Sequence, residues 1–192
     1  MTAISNVRRA PADVPGRWAA ASELIRGAAL GHPVRVHDDI SLREITDANR
    51  RAVELLGVTA DQETYVAGVA ESLLEAAATP AACPWYRAVY ARDDPVGFVM
   101  ISDGIPDGHA AYLGPYFLWR LLIDARRQRQ GLGTSALNLV VDYVRTRPDA
   151  RELLTSVVPG PNSPIGFYLR YGFSRTGQVF DGEDILTLRL VN

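Results

Sequence analysis

The sequence has little of three features that would indicate other classes of protein. Cys83 is the only cysteine, so no disulfide can form within the chain, and a reducing, cytoplasmic setting is expected. No uninterrupted apolar run approaches the roughly 20 residues that a membrane-spanning helix needs. The formal net charge is −2, which argues against the clustered positive charge of a general nucleic-acid binder. We therefore expect neither a membrane nor a nucleic acid as a partner.

Length and composition predict one compact domain with a modest extension. The 192 residues are 47% hydrophobic and 22% charged, which is enough to bury a core without disulfides. Residues 1–38, rich in Ala and Arg, are predicted to form an N-terminal extension that is partly helical. Residues 39–192 alternate strand and helix patterns and predict an α/β domain. Within it, Thr59 and Gln62 have the spacing of a capping box, which predicts a helix continuing through Leu73.

A glycine turn between a strand and a helix is the most informative local pattern. The apolar run from Tyr116 to Ile123 predicts a buried strand, and the apolar residues from Leu132 to Val144 recur at helical spacing. Between them, Gly131 and Gly133 lie at the predicted helix N-terminus. Free backbone N–H groups and the helix dipole favour an anion there, and a missing Cβ lets a phosphate approach. The pattern predicts a phosphorylated ligand.

Two better-known glycine loops do not fit this turn. A P-loop requires Lys followed by Ser or Thr after its last glycine, whereas Gly133 is followed by Thr134. A dinucleotide fingerprint requires a third glycine, but that position holds Ala136. The remaining pattern is Gln128-x-x-Gly131-x-Gly133.

A second segment, Asn162-Ser-Pro-Ile-Gly-Phe-Tyr-Leu-Arg-Tyr-Gly-Phe173, predicts a short helix ended by Gly172 and followed by a strand. Together with the glycine turn, it resembles the GNAT superfamily of acetyl-CoA-dependent N-acetyltransferases. The resemblance implies an α/β fold with a mixed central sheet of about six to seven strands, flanked by about four helices and splayed at the acetyl-CoA slot. It implies acetyl-CoA as cosubstrate and no metal ion. The residues that would bind acetyl-CoA are Leu122, Ile123, Gln128, Arg129, Gln130, Gly131, Leu132, Gly133, Thr134 and Phe167.

The resemblance also gives Tyr168 a place in the chemistry. A tyrosine at this position lies beside the thioester sulfur in the family, so Tyr168 is expected to be the general acid, although packing against CoA is the alternative role. Asn162 lies six residues before Tyr168, where the family asparagine lies seven before, so no CoA contact is assigned to it. The general base stays open: Asp124, Asp181, Glu183 and an ordered water are the alternatives.

The acceptor is expected to be the primary amine of a small molecule. Further likeness to bacterial spermine/spermidine acetyltransferases, from about Ser41 onward, suggests a polyamine. Tyr116, Trp119 and Glu183 are the candidate acceptor-binding residues, because aromatic rings and a carboxylate can hold an ammonium group. An antibiotic amine, a protein N-terminal amine and a non-catalytic acyl-CoA-binding regulatory domain are the alternatives. Homodimers are common in the family, so a homodimer is the oligomer to test for.

Overall fold

The computed structural model describes residues 39–106 and 113–190. The predicted N-terminal extension, residues 1–38, lies outside the described residues. Two short 3-10 helices, Pro80–Ala82 and Ala125–Arg127, accompany the main elements. In chain order these elements are β1 (Ile40–Arg43), α1 (Arg50–Glu54), α2 (Val69–Ala78), β2 (Pro84–Ala91), β3 (Asp94–Asp103), β4 (Tyr116–Ile123), α3 (Leu132–Arg145), β5 (Glu152–Val157), α4 (Ile165–Tyr171), β6 (Ser174–Phe180) and β7 (Glu183–Arg189).

The described strands form one mixed sheet. Its order is β1-β2-β3-β4-β5-β7-β6, and every neighbouring pair is antiparallel except β4 and β5. The parallel pair is joined through α3, as a parallel connection requires a crossover. The predicted α/β architecture, with its number of strands and helices, is confirmed.

The sheet splays open between β4 and β5. These strands pair only at Phe117 with Leu154 and at Leu118 with Thr155, although β4 continues to Ile123. Beyond Leu118 the facing edge of β4 has no partner strand among the residues that the structure describes. The Thr155 hydroxyl donates to the Leu118 carbonyl oxygen at 3.0 Å, at the point where the two strands separate.

A β-bulge interrupts the alternation of side chains along β4. Arg120 pairs with Met100 of β3 and Leu118 pairs with Ile101, so Trp119 is the extra residue. An extra residue moves two successive side chains toward one face of a sheet. Trp119 and Arg120 therefore lie on the same face, whereas Leu121 returns to the opposite one.

Two apolar cores lie on opposite faces of the sheet. One face is covered by α1 and α2 and includes Phe98, Trp119 and Ile185; we call it the α1/α2 face. The other is covered by α3 and α4 and includes Leu137 and Tyr168; we call it the α3/α4 face.

The predicted capping-box contact forms, but the helix predicted to follow it is wrong. The Thr59 amide does donate to the Gln62 side chain at 3.4 Å, but residues 60–65 form turns, and α2 begins only at Val69. The amide group of Gln62 also pairs with Gln128 across 66 positions of sequence. This tertiary contact uses the side chain that would have capped a helix.

Candidate active site

A cleft of about 640 Å³ lies where β4 and β5 separate. Its lining comes from both faces of the sheet. Trp119 and Ser156 line it from the α1/α2 face, and Leu121, Phe167 and Tyr168 line it from the α3/α4 face. The opening therefore passes through the sheet, so that two molecules could enter it from opposite sides.

The glycine turn forms one end of this cleft. Gly131 is the N-cap of α3, with φ of 82°, and Arg129 has φ of 61°. Such positive angles suit glycine and bend the chain sharply before the helix. The first hydrogen bond of α3 runs from the Ser135 amide to the Gly131 carbonyl at 3.1 Å. The amides of residues 132–134 therefore have no partner within the helix, as is required of an anion site.

Gln128 holds the turn in place. Its side-chain amide donates to the Ile123 carbonyl at 2.9 Å and to the Gln62 side chain at 2.9 Å. Gln62 donates back to Gln128 at 3.3 Å. Gln128 thus ties the end of β4 to the turns at residues 60–65, and its role in this arrangement is to position backbone.

The charge of the cleft favours an anionic ligand. Four arginines line it, namely Arg120, Arg127, Arg129 and Arg170, and no Asp or Glu is among its described lining residues. Two of the four have acidic partners: Arg120 forms a buried ion pair with Glu75 of α2 at 2.6 Å, and Arg127 lies 3.8 Å from the carboxylate of Asp94. Arginines in such a lining can give an anionic ligand charge-assisted hydrogen bonds.

Tyr168, on α4, is one of the residues that line the cleft. Its side chain is 7% exposed, and its ring packs edge-on against Phe167 and Phe173, with centroid distances of 5.2 and 5.3 Å. Burial raises the pKa of the Tyr168 phenol to about 12, while a hydrogen bond with Thr155 acts in the opposite direction. The phenol is thus protonated at neutral pH, as a tyrosine is also at its ordinary pKa of about 10.

Asp124, one of the candidate bases, is fully engaged in structure. Its carboxylate accepts from the Arg126 backbone at 3.0 Å, from the Arg126 guanidinium at 2.7 Å and from the Gly57 amide at 3.3 Å. The Arg126 side-chain hydrogen bond is the largest cause of a lowered Asp124 pKa, which burial opposes. A carboxylate stabilised in this way is a poor proton acceptor, and it caps the 3-10 helix that leads into the turn.

The structure brings most of the residues singled out from the sequence to the cleft. Of the predicted acid, acetyl-CoA-binding and acceptor-binding residues, four do not line it, and the candidate bases Asp124 and Asp181 are also outside its lining. Leu122 lies in the core of the α1/α2 face at 2% exposure, and Tyr116 lies in the other core and donates to the Pro148 carbonyl at 2.6 Å. Gln130 and Glu183 are also outside the lining, although Glu183 contacts it through Ser156. The residues that do line the cleft are Trp119, Ile123, Gln128, Arg129, Gly131, Leu132, Gly133, Thr134, Phe167 and Tyr168.

Sequence reasoning missed several lining residues. Leu121 lines the cleft, whereas Leu122 is buried in the core of the α1/α2 face. Thr155 and Ser156 of β5, and Tyr65 from the turns before α2, also line the cleft. No local pattern marks these residues, since their place depends on how β5 and the turns pack against β4.

Two other kinds of structure are absent from the described ranges. No helix within residues 39–106 and 113–190 is long and apolar enough to cross a bilayer. In the same ranges, His, Cys, Asp and Glu side chains form no group of three or more that could hold a metal ion.

Comparison with known proteins gives the family. A profile described as the Acetyltransferase (GNAT) family matches residues 44–173. The spermine/spermidine N(1)-acetyltransferase of Bacillus subtilis (strain 168) is 28% identical over 154 residues, which are 79% of this chain and 99% of that protein.

Solved structures share the fold. An acetyltransferase from Thermus thermophilus has a TM-score of 0.61 at 17% identity, covering 79% of this chain and 97% of its own. The aminoglycoside acetyltransferase AAC(6')-Ib, in complex with coenzyme A, has a TM-score of 0.62 at 17% identity, covering 78% of this chain and 94% of its own. Because the family profile spans more than half of the chain and fits the splayed sheet with its glycine turn, the protein belongs to the GNAT family and is an N-acetyltransferase.

Proposed function

We propose that this protein transfers an acetyl group from acetyl-CoA to the primary amine of a small molecule, with both substrates bound at once. The observation that carries the proposal is the opening between β4 and β5, which passes through the sheet and has the glycine turn at one end. A thioester held in such an opening is accessible to an amine from the other face. The amine can then attack it directly, without an acetylated enzyme. The lone Cys83, which needs no oxidising compartment, is consistent with a cytoplasmic location.

The proposed acetyl-CoA site follows the cleft from the turn to Tyr168. The amides of residues 132–134, with Arg127, Arg129 and Arg170, would bind the phosphates. The free edge of β4 would accept the amide-containing arm, because alternate backbone groups from Trp119 to Ile123 face the side that lacks a partner strand. A bound arm would complete the hydrogen bonding that β5 leaves unmade.

Tyr168 is proposed to act when the thioester is cleaved. As the amine nitrogen bonds to the carbonyl carbon, the carbon–sulfur bond breaks and the leaving thiolate needs a proton. The phenol is protonated at neutral pH, because the ordinary pKa of a tyrosine is about 10 and burial raises that of Tyr168 further. A proton donor at hydrogen-bond distance from the sulfur can protonate the departing thiolate as the carbon–sulfur bond breaks.

A polyamine is the first acceptor to test, because the Bacillus subtilis relative is named a spermine/spermidine N(1)-acetyltransferase. The experiment measures thiol release from acetyl-CoA against spermine, spermidine, simple monoamines, aminoglycosides and peptides with free N-termini. We expect saturable turnover with a small primary amine. If acetyl-CoA binds but none of these acceptors is acetylated, the small-molecule transferase proposal fails and a non-catalytic acyl-CoA-binding role is favoured. Turnover with peptides alone would place the acceptor among protein amines.

A further inference from the structure

One serine and one glutamate meet at the edge of the cleft. The Ser156 hydroxyl, on β5, donates to the carboxylate of Glu183, the first residue of β7. Ser156 lines the cleft, whereas Glu183 is outside the lining. The carboxylate therefore reaches the cleft through the serine hydroxyl.

Strand register gives the side of the sheet on which this pair lies. Ser156 is opposite Ile185 of β7, and Ile185 belongs to the core of the α1/α2 face together with Leu154. Because residues two apart in a strand share a face, Ser156 and Glu183 lie on the α1/α2 face. Thr155, the residue before Ser156, points to the opposite face.

The proton donor lies on the opposite side of the same opening. Tyr168 belongs to the core of the α3/α4 face, and Thr155 lies on that same face, opposite Leu186 of β7. Thr155 and Ser156 are consecutive residues of β5, so one strand presents Thr155 to the face of Tyr168 and the serine–glutamate pair to the other face. A thioester in the opening would have its departing sulfur served from one face and its attacking amine from the other.

Three other carboxylates, those of Asp124, Glu75 and Asp184, are committed to arginine or backbone partners. Asp124 binds Arg126, and Glu75 of α2 binds Arg120 of β4 at 2.6 Å. Next to Glu183, the carboxylate of Asp184 binds Arg175 of β6 at 2.7 Å and belongs to the opposite face of β7. Within residues 39–106 and 113–190, Glu183 itself forms no ion pair, and its contact is the Ser156 hydroxyl.

We propose that Ser156 and Glu183 form the pair that binds and deprotonates the acceptor amine. This inference rests on the proposed transferase function. Ser156 touches the amine, and Glu183 acts through it. The ammonium N–H bond breaks and its proton passes to the Ser156 oxygen, as the serine's own proton passes to the Glu183 carboxylate.

The remaining steps balance without any further reactant. The freed lone pair of the amine forms the nitrogen–carbon bond, the carbon–sulfur bond breaks, and Tyr168 protonates the thiolate. The second proton leaves the nitrogen to water, Glu183 releases the first to solvent, and one of these two protons restores the Tyr168 phenol. Over the cycle, an ammonium and a thioester become an amide, a thiol and one proton released to solvent.

The test uses Glu183→Gln in the full chain, with Asp184→Asn as the matched control. Both variants remove one negative charge from the same strand, but only the first removes the proton acceptor of Ser156. At neutral pH we expect Glu183→Gln to lower kcat/KM for the amine by roughly 10²-fold, in the range of general-base effects. The control should stay within about twofold of the wild type, the scale of a change away from the reacting groups.

The pH profile separates lost proton transfer from damaged structure. An alkylamine has a pKa of about 10.4, so its neutral fraction rises about tenfold for each pH unit below that value. Without a proton acceptor, the Glu183→Gln variant depends on that fraction. The deficit relative to the wild type should therefore shrink as the pH rises, with the KM for acetyl-CoA and the Tm unchanged.

Ser156→Ala and Ser156→Thr complete the test. Alanine removes the hydroxyl and should reproduce the pH-dependent deficit, whereas threonine keeps a hydroxyl and should restore most of the rate. A deficit in Glu183→Gln that is equal at every pH, or a variant as active as the wild type, would overturn the pair while leaving the transferase function standing. A wild type that binds acetyl-CoA but acetylates no amine would reject both.

Discussion

Replacing Tyr168 with phenylalanine isolates one hydroxyl group in the lining of the cleft. The edge-on packing of the ring against Phe167 and Phe173 depends on the ring alone, so Phe should occupy the same space. Thr155 keeps its bond to the Leu118 carbonyl at 3.0 Å. The change should therefore cost little stability. Turnover should fall by roughly 10²-fold if the phenol protonates the thiolate.

Tyr171→Phe is the matched control, because it removes one hydroxyl from the same helix. The Tyr171 hydroxyl donates to Asn138 at 2.8 Å and does not line the cleft. Each variant would be compared by Tm, by acetyl-CoA affinity and by thiol release at saturating substrates. We expect similar Tm values and similar affinities, with turnover lost only in Tyr168→Phe. If the two variants turn over at the same rate, Tyr168 packs against the ligand and the thiolate finds its proton elsewhere.

Three further changes test the turn, the ion pair and the capping carboxylate. Gly131→Ala should lower the Tm, because φ of 82° strains an L-residue. Gly133→Ala should leave the Tm unchanged, since its Cβ would lie 3.6 Å or more from its nearest neighbours. Both variants should weaken acetyl-CoA binding, measured by calorimetry. Glu75→Ala should lower the free energy of unfolding in urea by about 3 kcal/mol, because it leaves Arg120 buried with its main counter-charge gone. A smaller loss of unfolding free energy in the double variant with Arg120→Met would confirm that the two residues are coupled. Asp124→Asn should unfold at a lower urea concentration than the wild type at neutral pH. Because the folded-state pKa of Asp124 is lowered, the stability that this carboxylate contributes is present above about pH 4 and is lost as the pH falls. The urea unfolding curves of the variant and the wild type should therefore converge in acid.

The parts of the site that are local in sequence could be predicted from it. The strand, glycine turn and helix around Gly131 lie within one continuous segment, and so does the short helix that carries Tyr168. Turn chemistry and helical periodicity act over a few residues, so these elements were identified with nearly correct bounds. Whether their side chains perform the proposed chemistry stays a prediction.

The parts that depend on register could not be predicted. The bulge at Trp119 sets which face of the sheet Leu121 and Leu122 point to, and of the two only Leu121 lines the cleft. Ser156 and Glu183 are 27 positions apart and meet only because β5 and β7 are neighbours. The helix predicted from the capping box at Thr59 is absent for a related reason, since the Gln62 side chain also pairs with Gln128, which is distant in sequence.

The short pairing of β4 with β5 has a consequence for how the molecule responds to force and to exchange with solvent. Two residue pairs join an antiparallel block of four strands to a block of three, so the backbone ladder is thinnest along this seam. Amides next to it should exchange with deuterium sooner than those in the β2–β3 hairpin, because local opening breaks few bonds there. A molecule bound in the opening would contact both blocks and hold them together. Bound substrate should therefore slow amide exchange on both sides of the seam at once, so that the binding site also stabilises the junction between the two halves of the sheet.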